Sequence, residues 1–171
     1  MGTRGLTKVV DRNGVTKVAQ YGQWDHYPSG QGVNVLNFLT ETPTTVRQLE
    51  LALDKCEFVS EAVREILYAE YASKYPNDDE MDRFTMIMPA FSRNTCSDIL
   101  KVVYYSAGKV LLTDESNFEK DDLFCEGVYE VNYQTNKFVS KYGGVTVEFP
   151  LNDLPDETKY LASFVREEVN A

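Results

Sequence analysis

Residues 5–23 read GLTKVVDRNGVTKVAQYGQ, and the reading of this stretch decides the fold. Two β-rich runs, residues 5–12 and 15–23, flank Asn13-Gly14, the dipeptide best suited to a two-residue hairpin turn because both central positions need positive φ. An N-terminal β-hairpin is therefore expected. For a ladder without a bulge, the turn sets Val10 opposite Lys17, Lys8 opposite Ala19, Leu6 opposite Tyr21 and Arg4 opposite Gln23. Thr3 and Arg4 then lie beside Gln23, Trp24 and Asp25.

Outward from the hairpin, residues 25–32, DHYPSGQG, hold one Pro and two Gly and read as a loop. Val33, Leu36 and Leu39, flanked by Val35 and Phe38, then begin a short helix. Thr44-Thr45 caps a segment with Val46, Leu49 and Leu53 on one face. Ser60 opens another with Val63, Ile66, Leu67 and Tyr71 at helical spacing, ended by Pro76-Asn77. Acidic residues 77–82 precede RFTMIMPAF at 83–91, whose pattern selects neither helix nor strand, and residues 92–108 read as a helix stopped by Gly108. KVLLTDE at 109–115 reads as a strand. Residues 127–133 and 137–143 form a second hairpin around Gln134-Thr135-Asn136, and 145–150 a further strand ending at Pro150. The last helix is expected over 156–169, with Tyr160, Leu161, Phe164 and Val165 on its buried side. This order predicts a single α+β domain over residues 1–171, with a largely antiparallel sheet, an N-terminal β-hairpin, central helices, later strands and a C-terminal helix.

The chain has 171 residues, 43% of them hydrophobic and 12% aromatic, enough to bury a core and too much for disorder. Acidic residues outnumber basic ones by 27 to 17, a net charge of −10 that excludes a general binder of duplex nucleic acid. The balance is uneven: up to residue 40 Arg4, Lys8, Arg12 and Lys17 face only Asp11 and Asp25. Cys56, Cys96 and Cys125 read as free, buried thiols of a reducing compartment. Charge interrupts residues 1–17 every few positions, which predicts no secretory signal, and no run reaches the roughly 18 apolar residues of a membrane span. The expectation is a soluble, cytoplasmic protein that needs no cofactor, no metal and no membrane.

The densest group of chemically useful side chains is Tyr21, Gln23, Trp24, Asp25, His26, Tyr27 and Ser29, in a glycine-bracketed loop that the hairpin register sets near Arg4. As a small-molecule site, Arg4 would clamp a phosphate or carboxylate, the aromatic rings would stack, Asp25 would accept from a base or ribose, and Gly30 and Gly32 would let backbone amides approach an anion. As structure alone, Trp24 and Tyr27 would plug the core and Asp25 would cap a turn. His26, the only histidine, reads as exposed and incidental, and its solitude removes mechanisms that need a His pair. HExxH, CxxC, Walker A and GxSxG patterns are absent from the sequence. The acidic runs around Asp78–Asp82 and Asp114–Asp122 lack the pattern of a calcium loop and read as solvated surface. Arg93-Asn94-Thr95 reads as a helix N-cap, with an anion contact as its alternative.

GTRGL at 2–6, AQYGQWDHYPSGQG at 19–32, SRNTCSDIL at 92–100 and the region 122–144 together resemble a family of phage, prophage and fungal proteins that carry a GTR…QYGQWDxYPSGQG pattern and have no settled activity. The chain departs from that pattern at His26, where Gly is usual, and at Asn94 and Cys96, where Asp and Gly are more often seen. By association with phages, the resemblance implies a role in countering host defence. The first expectation is a binder of a small phosphorylated or nucleotide molecule that sequesters an immune signal of the cyclic dinucleotide or cyclic ADP-ribose type, working in the cytoplasm of the infected host. A hydrolase or phosphodiesterase is the alternative, with Asp25 or His26 as base, Tyr27 as acid and Arg4 stabilising charge. A second alternative is an acidic protein–protein inhibitor of a host factor. A homo-oligomer that completes the site across two copies is an open option.

Overall fold

The computed structural model describes residues 2–76 and 88–165. Strands β1 (Gly5–Val10) and β2 (Thr16–Gly22) form the expected hairpin, and Leu6 faces Tyr21 and Lys8 faces Ala19. Two departures from an ideal ladder cancel to give that register. The turn is not the two-residue type: the Asp11 carboxylate accepts the N–H groups of Asn13 and Val15, and Asp11 and Val15 close a three-residue loop in which Gly14 alone has positive φ, +80°. Val10 consequently faces Thr16, not Lys17, and a bulge at Lys17 restores the register.

A short helix α1 (Val33–Leu39) follows, then α2 (Thr45–Ala52), β3 (Cys56–Phe58) and α3 (Glu61–Lys74). After the undescribed residues come α4 (Ile99–Tyr105), β4 (Val110–Leu112), β5 (Gly127–Asn132), β6 (Lys137–Tyr142), β7 (Val145–Pro150) and α5 (Glu157–Ala162). The main sheet runs β2-β1-β5-β6-β7. It is antiparallel except where β1 and β5 pair in parallel. The chain is thus one α+β domain with the architecture expected. β4 does not join this sheet but pairs in parallel with β3, a strand the sequence pattern did not indicate. β6 and β7 are joined through Gly143 and Gly144, both at positive φ as a tight two-residue turn requires.

One face of the sheet carries the core. Val9, Val18, Tyr129, Val131 and Phe138 are buried there under Leu36 and Leu39 of α1, Leu49 of α2, Ile99, Leu100 and Val103 of α4 and Tyr160 of α5. Phe138 and Tyr160 stack with centroids 5.6 Å apart, and the Tyr160 hydroxyl donates to Ser140 at 2.8 Å. On the other face Lys8 is held between Glu119 (2.8 Å) and Glu130 (3.4 Å). Burial works against each charge of the Lys8–Glu119 pair. Their mutual attraction nevertheless raises the Lys8 pKa and lowers that of Glu119.

Several expectations need correcting. The helix predicted over 92–108 starts at Ile99 after a single tight turn and ends at Tyr105, because Cys96 sits at φ +50° and breaks the helical path before it begins. Ser60 caps α3 by accepting from the Val63 N–H, yet of its spaced apolar residues only Tyr71 is buried; Val63 and Ile66 are 43% and 62% exposed. Thr44 stands at the N-cap of α2 without capping it through its side chain. Phe164 packs against the core but Val165 faces solvent, since the last helix ends at Ala162. Cys56 and Cys96 are buried, whereas Cys125 is half-buried. The acidic residues 77–82, most of RFTMIMPAF and the tail beyond Val165 lie outside the described residues. Among the described residues no helix is long and apolar enough to cross a membrane.

Candidate functional site

The loop after β2 is organised by His26. Gly5 and Gly22 face each other across the hairpin and leave a spot without side chains, on which the imidazole lies: a Cβ at Gly5 would come within 2.4 Å of the ring and one at Gly22 within 2.2 Å. Backbone groups hold the residue in place. Its N–H donates to the Thr3 carbonyl, its carbonyl accepts from the Tyr129 hydroxyl at 2.6 Å, and Nδ1 lies 2.9 Å from the Trp24 carbonyl. His26 is 0% exposed and its Nε2 has no partner among the described residues, so burial drives its pKa down to about 4 and the ring is neutral. The expectation of an exposed, incidental histidine is therefore wrong. So is any role for His26 as a base open to a substrate.

With His26 as the plug, Trp24 and Tyr27 are displaced outward, 41% and 37% exposed. Neither plugs the core. The Trp24 indole N–H donates to the Asn94 side chain at 2.7 Å, and the Gln23 N–H donates to the Arg93 carbonyl. Asn94 thus positions the indole, where the sequence suggested a helix cap. The Tyr21 hydroxyl donates to Gln23 Oε1 at 2.5 Å, and its ring meets Phe118 edge-on at 5.0 Å. Partial burial raises the Tyr21 pKa against the opposing pull of the positive charges of Arg4 and Arg93. The Arg4 guanidinium also lies 4.5 Å over the Phe124 ring. Tyr21 is thus tied to Gln23 and lies within the influence of Arg4 and Arg93, while Trp24 is tied to Asn94; Arg93 and Asn94 come from a segment distant in sequence.

The remaining candidates form a separate group. Asp25 adopts φ +59°, its carbonyl accepts from the Gln31 N–H, and its carboxylate accepts from the Tyr27 hydroxyl at 3.2 Å. That hydrogen bond is the leading cause of a raised Tyr27 pKa, with Tyr142 adding to it. Residues 28–32 are not an open loop but one wide helical turn running directly into α1. This overturns the anion-cradle role of the glycines. The Gly30 N–H donates to the Tyr27 carbonyl, and Gly32 is buried against Tyr160 and Tyr129, where a Cβ would approach the Tyr160 hydroxyl to 2.6 Å. Ser29 is exposed on this turn.

A cavity of about 170 Å³ opens beside the Tyr21 end of the first group, lined by Gln20, Tyr21, Arg64, Phe91, Arg93 and Glu115 among others. Gln20 is 3% exposed; its Nε2 donates to the Ala90 carbonyl at 3.2 Å and its buried Oε1 has no partner among the described residues. Nothing in the local sequence marked Gln20 or Arg64, and Arg93 stood out only as part of a helix cap or an anion contact, because the three meet only once the edge of the sheet is assembled.

The acidic stretch from Asp114 to Asp122 serves the fold. Asp114 accepts from Ser116, Asp121 from the N–H groups of Leu123 and Phe124, and Glu119 pairs with Lys8 and Lys141. Among the described residues no three His, Cys, Asp or Glu side chains are grouped to hold a metal ion. Comparison with models of protein families, with curated proteins and with solved structures found no match to this chain, so the roles of these residues follow from their geometry alone.

Proposed function

We propose that this protein binds a small phosphorylated ligand of nucleotide type on the surface formed by Arg4, Tyr21, Gln23, Trp24 and Arg93. One observation carries the reading: Arg93 lines the same cavity as Tyr21, and Asn94, next to it in the chain, fixes the part-exposed indole of Trp24, while Arg4 and Arg93 both pull the Tyr21 pKa down against its burial. Paired guanidinium groups suit the oxygens of a phosphate, and a pinned indole offers a stacking face at low entropic cost. Capture is favoured over cleavage because the one imidazole is buried and neutral. In a phage setting, which the sequence resemblance implies, such capture would withdraw a nucleotide signal of host defence.

Calorimetric titration with cyclic dinucleotides, cyclic ADP-ribose and linear nucleoside phosphates tests this. Saturable heat from at least one member is expected, weakened about tenfold or more in Arg4→Ala and Trp24→Ala proteins that melt like the parent, with the ligand recovered intact after denaturation. No heat from any member, or equal affinity in both variants, overturns the reading. Conversion of excess ligand by catalytic amounts of protein replaces it with the hydrolase.

A further inference from the structure

Among the described residues, three buried side-chain polar atoms lack a hydrogen-bond partner: His26 Nε2, Gln20 Oε1 and Thr7 Oγ1. They belong to one patch on the core face of the sheet. Thr7 stands directly opposite Gln20, one rung along the hairpin from the Gly5–Gly22 pair on which the His26 ring rests. Residues opposite each other, and residues two apart in a strand, share a face. The ring presents Cε1 to Gly22 and its Cγ–Cδ2 edge to Gly5, so its two nitrogens point in opposite directions along the strands. Nδ1 meets the Trp24 carbonyl, past the end of β2, which turns Nε2 back toward Thr7 and Gln20. Rungs on one face are about 6.6 Å apart, a spacing that suits one small bridging molecule between the ring and the Thr7–Gln20 pair. The segment before α4 closes over the patch: Cys96 Sγ sits beside Gly22, and the Ala90 carbonyl holds Gln20 Nε2.

We propose that this patch is the binding site of one internal water, which donates to His26 Nε2 and Gln20 Oε1 and accepts from the Thr7 hydroxyl. The roles follow from bonds already made. A carbonyl only accepts, so the imidazole proton is on Nδ1 facing Trp24, and Nε2 carries a lone pair. Gln20 Nε2 donates to Ala90, which fixes the amide and leaves Oε1 as an acceptor. The Thr7 hydroxyl has a proton to give. Two acceptors and one donor are what a water satisfies with three hydrogen bonds, the usual number for a buried one. His26 is held through Thr3, Trp24 and Tyr129, and Gln20 through Ala90, so neither turns to meet the other without giving up a bond it has. An ion does not suit the site, because the three groups and the Cys96 thiol, whose pKa burial raises, are neutral and offer no balancing charge. A buried polar atom left bare costs more than a typical hydrogen bond contributes, which draws the water in. Once bound, it ties the His26 plug to the middle of the hairpin.

The test joins NMR to urea unfolding on the full chain. Oxygen-17 relaxation dispersion follows water oxygens and not exchanging hydroxyl protons, and it should count one long-lived water fewer in Thr7→Val than in the parent. In the parent the imidazole proton should be found on Nδ1, and water should give a cross-relaxation peak to the His26 ring protons. Thr7→Val keeps the side-chain shape and suits a strand as well as threonine does, so its unfolding reports the hydroxyl alone. Losing a bridged hydroxyl should raise the unfolding equilibrium constant about fivefold or more, whereas removing a bare one relieves a buried unpartnered group and has the opposite sign. Thr7→Ser, which keeps the hydroxyl, should keep the water. A Thr7→Val protein as stable as the parent or more so, an unchanged water count, a proton on His26 Nε2, or no water peak at the ring overturns the proposal. If Thr7→Val does not fold, the parent's ring peak and tautomer decide: both as expected uphold the site, and the failure of either removes it.

Discussion

Lowering the pH from 7 to 5 tests the placement of His26. The folded chain holds this group near pKa 4 because the ring is buried, whereas an unfolded chain holds it near 6.5. Between these values the unfolded state binds the proton and the folded state does not, so stability is fully present above pH 6.5 and drains away as the pH falls toward 4. A gap of about 2.5 pKa units corresponds to about 3 kcal/mol in full, of which about 2 kcal/mol is lost between pH 7 and 5. The window is clean. His26 is the only histidine, and Glu50 and Glu119, whose pKa values are lowered by their basic partners, weaken the fold only below about pH 5. Urea unfolding followed by Trp24 fluorescence at pH 7, 6 and 5 measures the loss. A His26→Asn variant, though less stable throughout, should show a nearly flat profile over that range. The reasoning is falsified if the parent profile is flat within about 0.5 kcal/mol, or if the imidazole proton signals titrate near pH 6.5.

Two further outcomes follow from contacts in the fold. Gly5→Ala sets a Cβ 2.1 Å from the Gly127 carbonyl and 2.4 Å from the His26 ring; both are held by surrounding structure, so a loss of about 3 kcal/mol or more is expected in thermal unfolding, or no soluble protein at all. Tyr160→Phe removes the 2.8 Å hydrogen bond to buried Ser140 and keeps the stack on Phe138; a loss of about 1–2 kcal/mol is expected, and an unchanged urea midpoint would show that Ser140 finds another partner.

Features set by short-range patterns were legible in the sequence, and those set by long-range assembly were not. Alternation and turn residues placed both hairpins, and Ser60 marked the start of α3. The register came out correctly although the turn did not, because the Asp11 carboxylate favours a three-residue loop and the Lys17 bulge absorbs the difference. Spacing could not reveal that Val63 and Ile66 face outward, since periodicity shows a stripe without showing what covers it. The parallel pairing of β1 with β5 joins segments far apart in sequence, and no local pattern announces it. His26 was readable in principle. The expected register sets Gly5 opposite Gly22, a bare spot on a sheet that invites a flat ring, and the next ring to pass over it on the chain was the candidate to ask about.

The charge distribution carries the same lesson to the site. The N-terminal excess of basic residues suggested a basic hairpin open to anions, but its members are not equivalent. Lys8 is held by Glu119 and Glu130, and Arg12 by Glu50; an incoming anion would have to displace a carboxylate already in place. Arg4 has no ion pair among the described residues; its guanidinium lies over the Phe124 face and its charge favours the ionised Tyr21 phenol. A cation–π contact and a phenol are weaker partners for a guanidinium than a phosphate, so an anion arriving at Arg4 gains more than it displaces. The same comparison separates the two groups of candidate residues. Asp25 and Tyr27 hydrogen-bond each other and bring a negative charge without an ion pair among the described residues, so the proposed phosphate would be seated at Arg4 and Tyr21 and repelled from the Asp25 turn.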